Sequence, residues 1–60
     1  MEKNFWDTYE LAEYLRISYD TANRMLRTGK IEAYKVGGDW RIRPEDVEKY
    51  LEQNKNTAQA

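Results

Sequence analysis

The sequence predicts a small, mostly helical α+β domain in which two short helices are followed by a β-hairpin and a third helix. Asp7 and Ser18 each stand before a run of apolar residues at helical spacing, as helix-capping residues do. A Gly-Gly pair with apolar and basic residues on both sides is typical of a hairpin. Pro44, followed by two acidic residues, is typical of a helix start.

The first helix is predicted between Asp7 and Arg16. The Asp7 carboxylate can accept from the free backbone N–H groups of the first turn, and Glu10 three residues later completes a capping box. One apolar stripe follows at helical spacing: Leu11, Ala12 and Leu15. We therefore expect a helix of about two turns.

The second helix is predicted between the cap at Ser18 and a left-handed stop at Gly29. Its predicted buried residues are Ala22, Met25 and Leu26. Only Arg16 and Ile17 separate it from the first helix. Such a tight connection between two capped helices is the sequence form of a helix-turn-helix.

The hairpin sequence, residues 33–43, allows two registers. A three-residue loop, Gly37-Gly38-Asp39, pairs Val36 with Trp40, Tyr34 with Ile42, and Lys35 with Arg41. A two-residue loop, Gly37-Gly38, pairs Lys35 with Trp40 instead. The apolar pattern favours the first register, with the core face Tyr34, Val36, Trp40 and Ile42. In that register Lys35 and Arg41 share a basic face, which suits an anionic partner or simply a solvated surface.

The third helix is predicted from Pro44, with the buried stripe Val47, Tyr50 and Leu51. The polar, pattern-free segment 54–60 is expected to be a disordered tail. The predicted domain therefore covers residues 1–53.

Composition excludes several functional classes. The 60 residues contain no cysteine and no histidine, so the chain lacks thiolate and imidazole metal ligands and the usual neutral-pH base. No nucleotide-binding or metal-binding spacing occurs. We expect no enzyme activity, no cofactor and no metal. No apolar run approaches the roughly 18 residues that cross a membrane, and the start is not an export signal, so we expect a cytoplasmic protein.

Charge is unevenly distributed along the chain, although its net value is −1. Between residues 16 and 43 there are seven cations and three anions, which gives +4. The acidic residues dominate both flanks. The middle of the chain is therefore its basic part.

The outer face of the second helix carries side chains that can recognise bases. Asp20, Arg24 and Arg27 lie opposite the apolar stripe, with Asn23 and Thr28 beside them. Arginine can bind guanine, asparagine can bind adenine, and a carboxylate can accept from cytosine. The alternative is a solvated helix face in which Asp20 and Arg24 form a pair four residues apart.

Other candidate residues suit backbone phosphates. Tyr19 and Thr21 lie at the start of the second helix, where Tyr19 can equally pack against the first helix. Four cations are candidate phosphate contacts: Lys30, Lys35, Arg41 and Arg43. Gly37 and Gly38 allow close approach to a sugar-phosphate backbone, and turn geometry alone also explains them. Trp40 is expected in the core.

The ordered set of motifs resembles the excisionase family of DNA-binding domains, relatives of the winged-helix head of MerR-type regulators. The resemblance rests on residues 7–15, 18–24, 29–31 and 34–47 and covers about residues 6–52. It implies a winged helix-turn-helix whose second helix enters the major groove of double-stranded DNA while the hairpin wing lies along a minor groove. It also implies base contacts by Asp20, Arg24 and Arg27. Arg16 departs from the pattern, because many relatives have glycine there.

The resemblance leaves two roles open. One is a recombination directionality factor that bends DNA beside a tyrosine-type integrase, with cooperative self-association on repeated sites. The other is a small MerR-like transcription regulator, although no long dimerisation helix is evident. A third hypothesis, of a different class, is a protein-interaction module that uses the acidic first and third helices.

Overall fold

A computed structural model describes residues 4–56 and has the element order that the sequence predicts. The elements are α1 (Thr8–Leu15), α2 (Tyr19–Arg27), β1 (Tyr34–Val36), β2 (Asp39–Arg41) and α3 (Pro44–Gln53). Three helices and one two-stranded antiparallel hairpin make a small α+β helix-turn-helix fold. The predicted fold class is confirmed.

Side-chain caps start the first two helices as expected. Asp7 Oδ1 accepts from the Glu10 N–H at 2.8 Å, and Glu10 Oε1 accepts from the Asp7 N–H at 2.9 Å. Ser18 Oγ accepts from the Thr21 N–H at 3.1 Å. Each bond satisfies a backbone donor that the helix itself leaves free.

Both helices also end in the same way, with a left-handed residue. Arg16 follows α1 with φ 60°, and the Ile17 N–H reaches back to the Ala12 carbonyl at 3.0 Å. Gly29 follows α2 with φ 79°, and the Lys30 N–H reaches the Met25 carbonyl at 2.9 Å. This pairing of a left-handed residue with a long backward bond is a Schellman motif.

The core forms where the helices meet the base of the hairpin. Its buried hydrophobic residues are Leu11, Ala12, Ala22, Met25, Leu26, Ile31, Ile42 and Val47. Half-buried Leu15, Trp40 and Tyr50 pack against it. The prediction for Leu51 is wrong: its side chain is 40% exposed, because the core contacts of α3 are made by Val47 and Tyr50.

The end of α3 runs into the predicted tail. The backbone N–H and the side-chain amide of Asn54 both donate to the Tyr50 carbonyl, at 3.1 and 2.9 Å. These bonds close the last turn of the helix. The remainder of the predicted tail, residues 57–60, lies outside the described residues.

The hairpin has the two-residue loop, so the predicted register is wrong. Lys35 pairs with Trp40, and β1 ends opposite the start of β2 at Val36 and Asp39. Gly37 and Gly38 have φ values of 60° and 87°, which fit a type I′ turn, whose twist matches that of the strands. This turn preference prevails because the helices cover only the base of the hairpin.

Exposure along β1 follows from this register. Tyr34 is 48% exposed and Val36 is 55% exposed, so the expected four-residue core face is also wrong. Only Ile42 is buried, and Trp40 is half-buried against the core. Because neither Tyr34 nor Val36 is buried, no burial energy favours the register that would place them on the inner face.

A second pairing, which no pattern in the sequence predicts, fixes the other side of the hairpin. The Trp6 N–H donates to the Ile42 carbonyl at 2.7 Å, and the Ile42 N–H donates to the Trp6 carbonyl at 2.9 Å. The extension of β2 thus lies between β1 and the segment before α1. This bridge attaches the hairpin to the start of the first helix.

Candidate nucleic-acid interface

The outward side of α2 presents three charged side chains to solvent. Asp20, Arg24 and Arg27 are exposed, while Ala22, Met25 and Leu26 are buried behind them. Within residues 4–56, ion pairs join Arg43 to acidic residues, and none involves Asp20, Arg24 or Arg27. The alternative Asp20–Arg24 pair does not form. Both guanidinium groups therefore keep their donors for a ligand.

The remaining candidates on α2 are less free. Asn23 is half-buried at the edge of the outer face. The Thr21 hydroxyl accepts from Ser18 Oγ at 2.9 Å, so it already has a local partner. Any base contact by α2 is therefore centred on Asp20 and the two arginines.

Tyr19 packs against the first helix, which is one of the two interpretations of this residue in the sequence analysis. Its ring stacks on that of Tyr9 with centroids 4.5 Å apart and an interplanar angle of 29°. The tyrosines nevertheless stay 42% and 69% exposed. Sequence reasoning missed Tyr9; its one signal was an aromatic residue outside the apolar stripe of α1.

The two wing cations lie on opposite faces of the hairpin. Lys35 shares a face with Trp40 and places Nζ 4.7 Å from the centre of its ring, while Arg41 pairs with Tyr34 on the other face. The expected shared basic face is therefore wrong. The reason is the two-residue turn, which shifts every cross-strand partner by one position.

Arg43 joins the hairpin to α3. Its Nε donates to Asp46 Oδ2 at 3.0 Å, its Nη1 lies 3.8 Å from Glu45 Oε2, and its guanidinium carbon lies 5.7 Å from the centre of the Tyr34 ring. The hydrogen bond and the negative charge of Asp46 raise the pKa of Arg43 above its ordinary value. The charge of Arg43 is thus compensated by neighbouring carboxylates, whereas Arg24 and Arg27 have no ion pair within residues 4–56.

A shallow concavity of about 260 Å³ lies between the two helix starts and the wing. Its lining residues are Asp7, Thr8, Tyr9, Tyr19, Asp39, Trp40 and Arg41. The tip glycines, Gly37 and Gly38, are exposed, as is Lys30 after the end of α2. The structure thus brings Tyr19 and Arg41 together and leaves Lys30, Lys35 and Arg43 apart from them.

Residues 4–56 contain no group of three or more carboxylates able to hold a metal ion and no helix able to span a membrane. The candidate interface consists of the exposed side chains on α2 and the wing, together with the concavity between the helix starts and the wing.

Comparison with known proteins identifies the domain. No curated protein and no solved structure gave a significant match to the chain. A family model described as a helix-turn-helix domain matches residues 7–55, a range that includes all five elements. This match agrees with the resemblance to excisionase-type DNA-binding domains and supports sequence-specific binding of double-stranded DNA. The chain therefore belongs to the helix-turn-helix domain family.

Proposed function

We propose that this protein is an excisionase-like DNA-binding protein that binds a specific double-stranded site and bends it beside a tyrosine-type integrase. The observation that carries the proposal is the outer face of α2, where exposed Arg24 and Arg27 lack an ion pair within residues 4–56. Arginines left free on a recognition helix are suited to bidentate contacts with guanine.

In the proposed complex, α2 lies in the major groove with its outer face toward the bases. Arg24 and Arg27 bind the O6 and N7 atoms of guanines, and Asp20 accepts from the amino group of a cytosine. A carboxylate is repelled by phosphates, so Asp20 contributes selectivity rather than general affinity. The buried side of α2 holds these three side chains at a fixed rotation against the core.

The wing, together with Lys30 after the end of α2, supplies contacts that position the protein without choosing sequence. Lys35, Arg41 and Lys30 serve as phosphate contacts, and the exposed Gly37-Gly38 turn allows close approach to the DNA backbone. Arg43 contributes less, because Asp46 already balances its charge. A single module of this kind buries only about 600–1,000 Å² on DNA, so adjacent copies on repeated sites would add specificity.

Binding is tested by selecting a site from a random duplex pool and measuring affinities for that site and its single-base variants. Arg24→Ala should reduce discrimination at one base pair by about 5- to 150-fold, the range expected for one bidentate contact. Lys49→Ala is the matched control, because it removes an exposed cation from α3. Equal discrimination by Arg24→Ala and the parent protein would contradict the proposed role of α2.

The architectural role is tested separately, by circular-permutation gel electrophoresis of the selected site. An excisionase-like protein should bend the DNA. A specific complex with straight DNA would instead favour the second candidate, a small transcription regulator. Absence of duplex binding would favour the protein-interaction hypothesis, with the acidic faces of α1 and α3 as the working surface.

A further inference from the structure

We propose that Tyr9 of α1 joins Tyr19 and Arg41 in binding one backbone phosphate of the DNA. The inference rests on the proposed DNA binding and deepens it, because it adds the first helix to the interface. It assigns a function to Tyr9, which neither its sequence context nor the family match assigns.

The geometry brings three elements to one place. Tyr9 in the first turn of α1 and Tyr19 at the start of α2 stack at 4.5 Å, and Arg41 of β2 lines the same concavity. When a helix-turn-helix docks, its first helix crosses the DNA backbone and the start of its second helix approaches the bases. The stacked pair therefore lies where a backbone strand passes.

The donors match a phosphate. Within residues 4–56 neither tyrosine hydroxyl has a hydrogen-bond partner, and both residues are exposed. Arg41 uses Nη1 for its own strand, donating to the Trp40 carbonyl at 3.2 Å, and its other N–H groups remain. Two phenol donors and one guanidinium can satisfy the oxygens of one phosphate, with the charge-assisted bond from Arg41 the strongest.

Stacking also prepares the two hydroxyls for binding. Each ring restricts the other, so little side-chain freedom remains to be lost when a phosphate arrives. Flexible lysines in the same positions would lose much more. The stacked tyrosines thus suit a contact that positions the protein.

Two carboxylates share the concavity. Asp7 is engaged in the capping box of α1, where its Oδ1 accepts the Glu10 N–H. Asp39 has no ion pair with another residue of the described range and opposes an incoming phosphate. Removing the charge of Asp39 should therefore tighten binding.

The experiment measures affinity by fluorescence anisotropy for a labelled duplex of mixed sequence, about 20 base pairs long, at roughly 50 mM salt, where phosphate contacts dominate. Tyr9→Phe removes the hydroxyl and keeps the stacked ring. It should weaken binding by about 3- to 10-fold, as expected for one neutral hydrogen bond. Tyr14→Phe is the matched control on the same helix, because the Tyr14 ring packs against Trp6 instead. It should bind like the parent protein.

A double-mutant cycle asks whether Tyr9 and Arg41 hold the same phosphate. Arg41→Ala should weaken binding and reduce the salt slope by about 1. The double variant should lose less affinity than the product of the two single fold-losses, because both substitutions weaken the same phosphate contact. Asp39→Asn should bind more tightly than the parent.

The outcomes separate this inference from the broader proposal. Parent-like binding by Tyr9→Phe, or losses that multiply in the double variant, would overturn the shared phosphate while leaving DNA binding intact. Failure of the parent protein to bind any duplex would overturn both. Thermal unfolding of every variant by circular dichroism should remain close to that of the parent, which excludes loss of the fold as the cause.

Discussion

Arg16 adopts a backbone conformation that is unfavourable for a residue with a side chain. Among residues 4–56 it is the one non-glycine residue with positive φ, at 60°. In this region the Cβ crowds the following carbonyl oxygen and costs about 1–2 kcal/mol. The Schellman motif at the end of α1 holds the residue there, because the bonds from Arg16 and Ile17 satisfy the last carbonyls of the helix.

Replacing Arg16 with glycine should therefore stabilise the protein. We expect a gain of about 0.5–1 kcal/mol in the free energy of unfolding, since part of the relieved strain is offset by the greater freedom of glycine in the unfolded chain. Urea denaturation followed by circular dichroism measures the change. Arg16→Ala is the control, because alanine keeps the Cβ and should bring no such gain. If the two variants unfolded at the same midpoint, backbone strain would not be the cause.

At the scale of elements, the hairpin shows which sequence signals determine the register of two paired strands. The alternation of apolar residues favoured a three-residue loop, whereas the glycine pair favoured a two-residue type I′ turn, and the turn prevailed. Alternation fixes a register only where one whole face of a strand is buried. Here Tyr34 and Val36 are exposed, so the local preference of the turn was the stronger signal.

Substitutions at Gly37 test this explanation. An added Cβ there would meet no atom within 4 Å, so the cost of a side chain comes from the φ of 60° alone. Gly37→Asn should change stability by less than about 0.5 kcal/mol, because asparagine accepts this conformation and Asn-Gly favours type I′ turns. Gly37→Val should lower the free energy of unfolding by about 1–2 kcal/mol. Thermal unfolding of the pair measures the difference, and equal losses would rule out backbone conformation as its source.

For the whole molecule, sequence was most informative where structure is local. The caps at Asp7 and Ser18, the stop at Gly29 and the start at Pro44 depend on neighbouring residues, and the structure confirms them. Contacts between distant segments had no such signal. Neither the Trp6–Ile42 bridge nor the Tyr9–Tyr19 stack follows from a periodic pattern. The outer face of α2 was predictable because its opposite side is an apolar stripe.

The uneven distribution of charge along the chain is also a property of the whole molecule. It predicts how DNA binding depends on salt. About three to four phosphate contacts, by Lys30, Lys35, Arg41 and in part Arg43, should give a log–log slope of affinity against salt of about −3 to −4. Titrations of the selected duplex between roughly 50 and 200 mM salt measure it. Lys49→Ala should leave the slope unchanged. A flat response would exclude phosphate binding as the main source of affinity.

The bridge between Trp6 and Ile42 also has a consequence for the order of folding. The turn between α1 and α2 closes early, because the segments that it joins are neighbours in the chain. The bridge joins residues 36 positions apart in the chain, so its closure costs more entropy and should come late. We therefore expect the hairpin to attach to the helix pair late in folding. The complete interface would assemble only in the last step of folding.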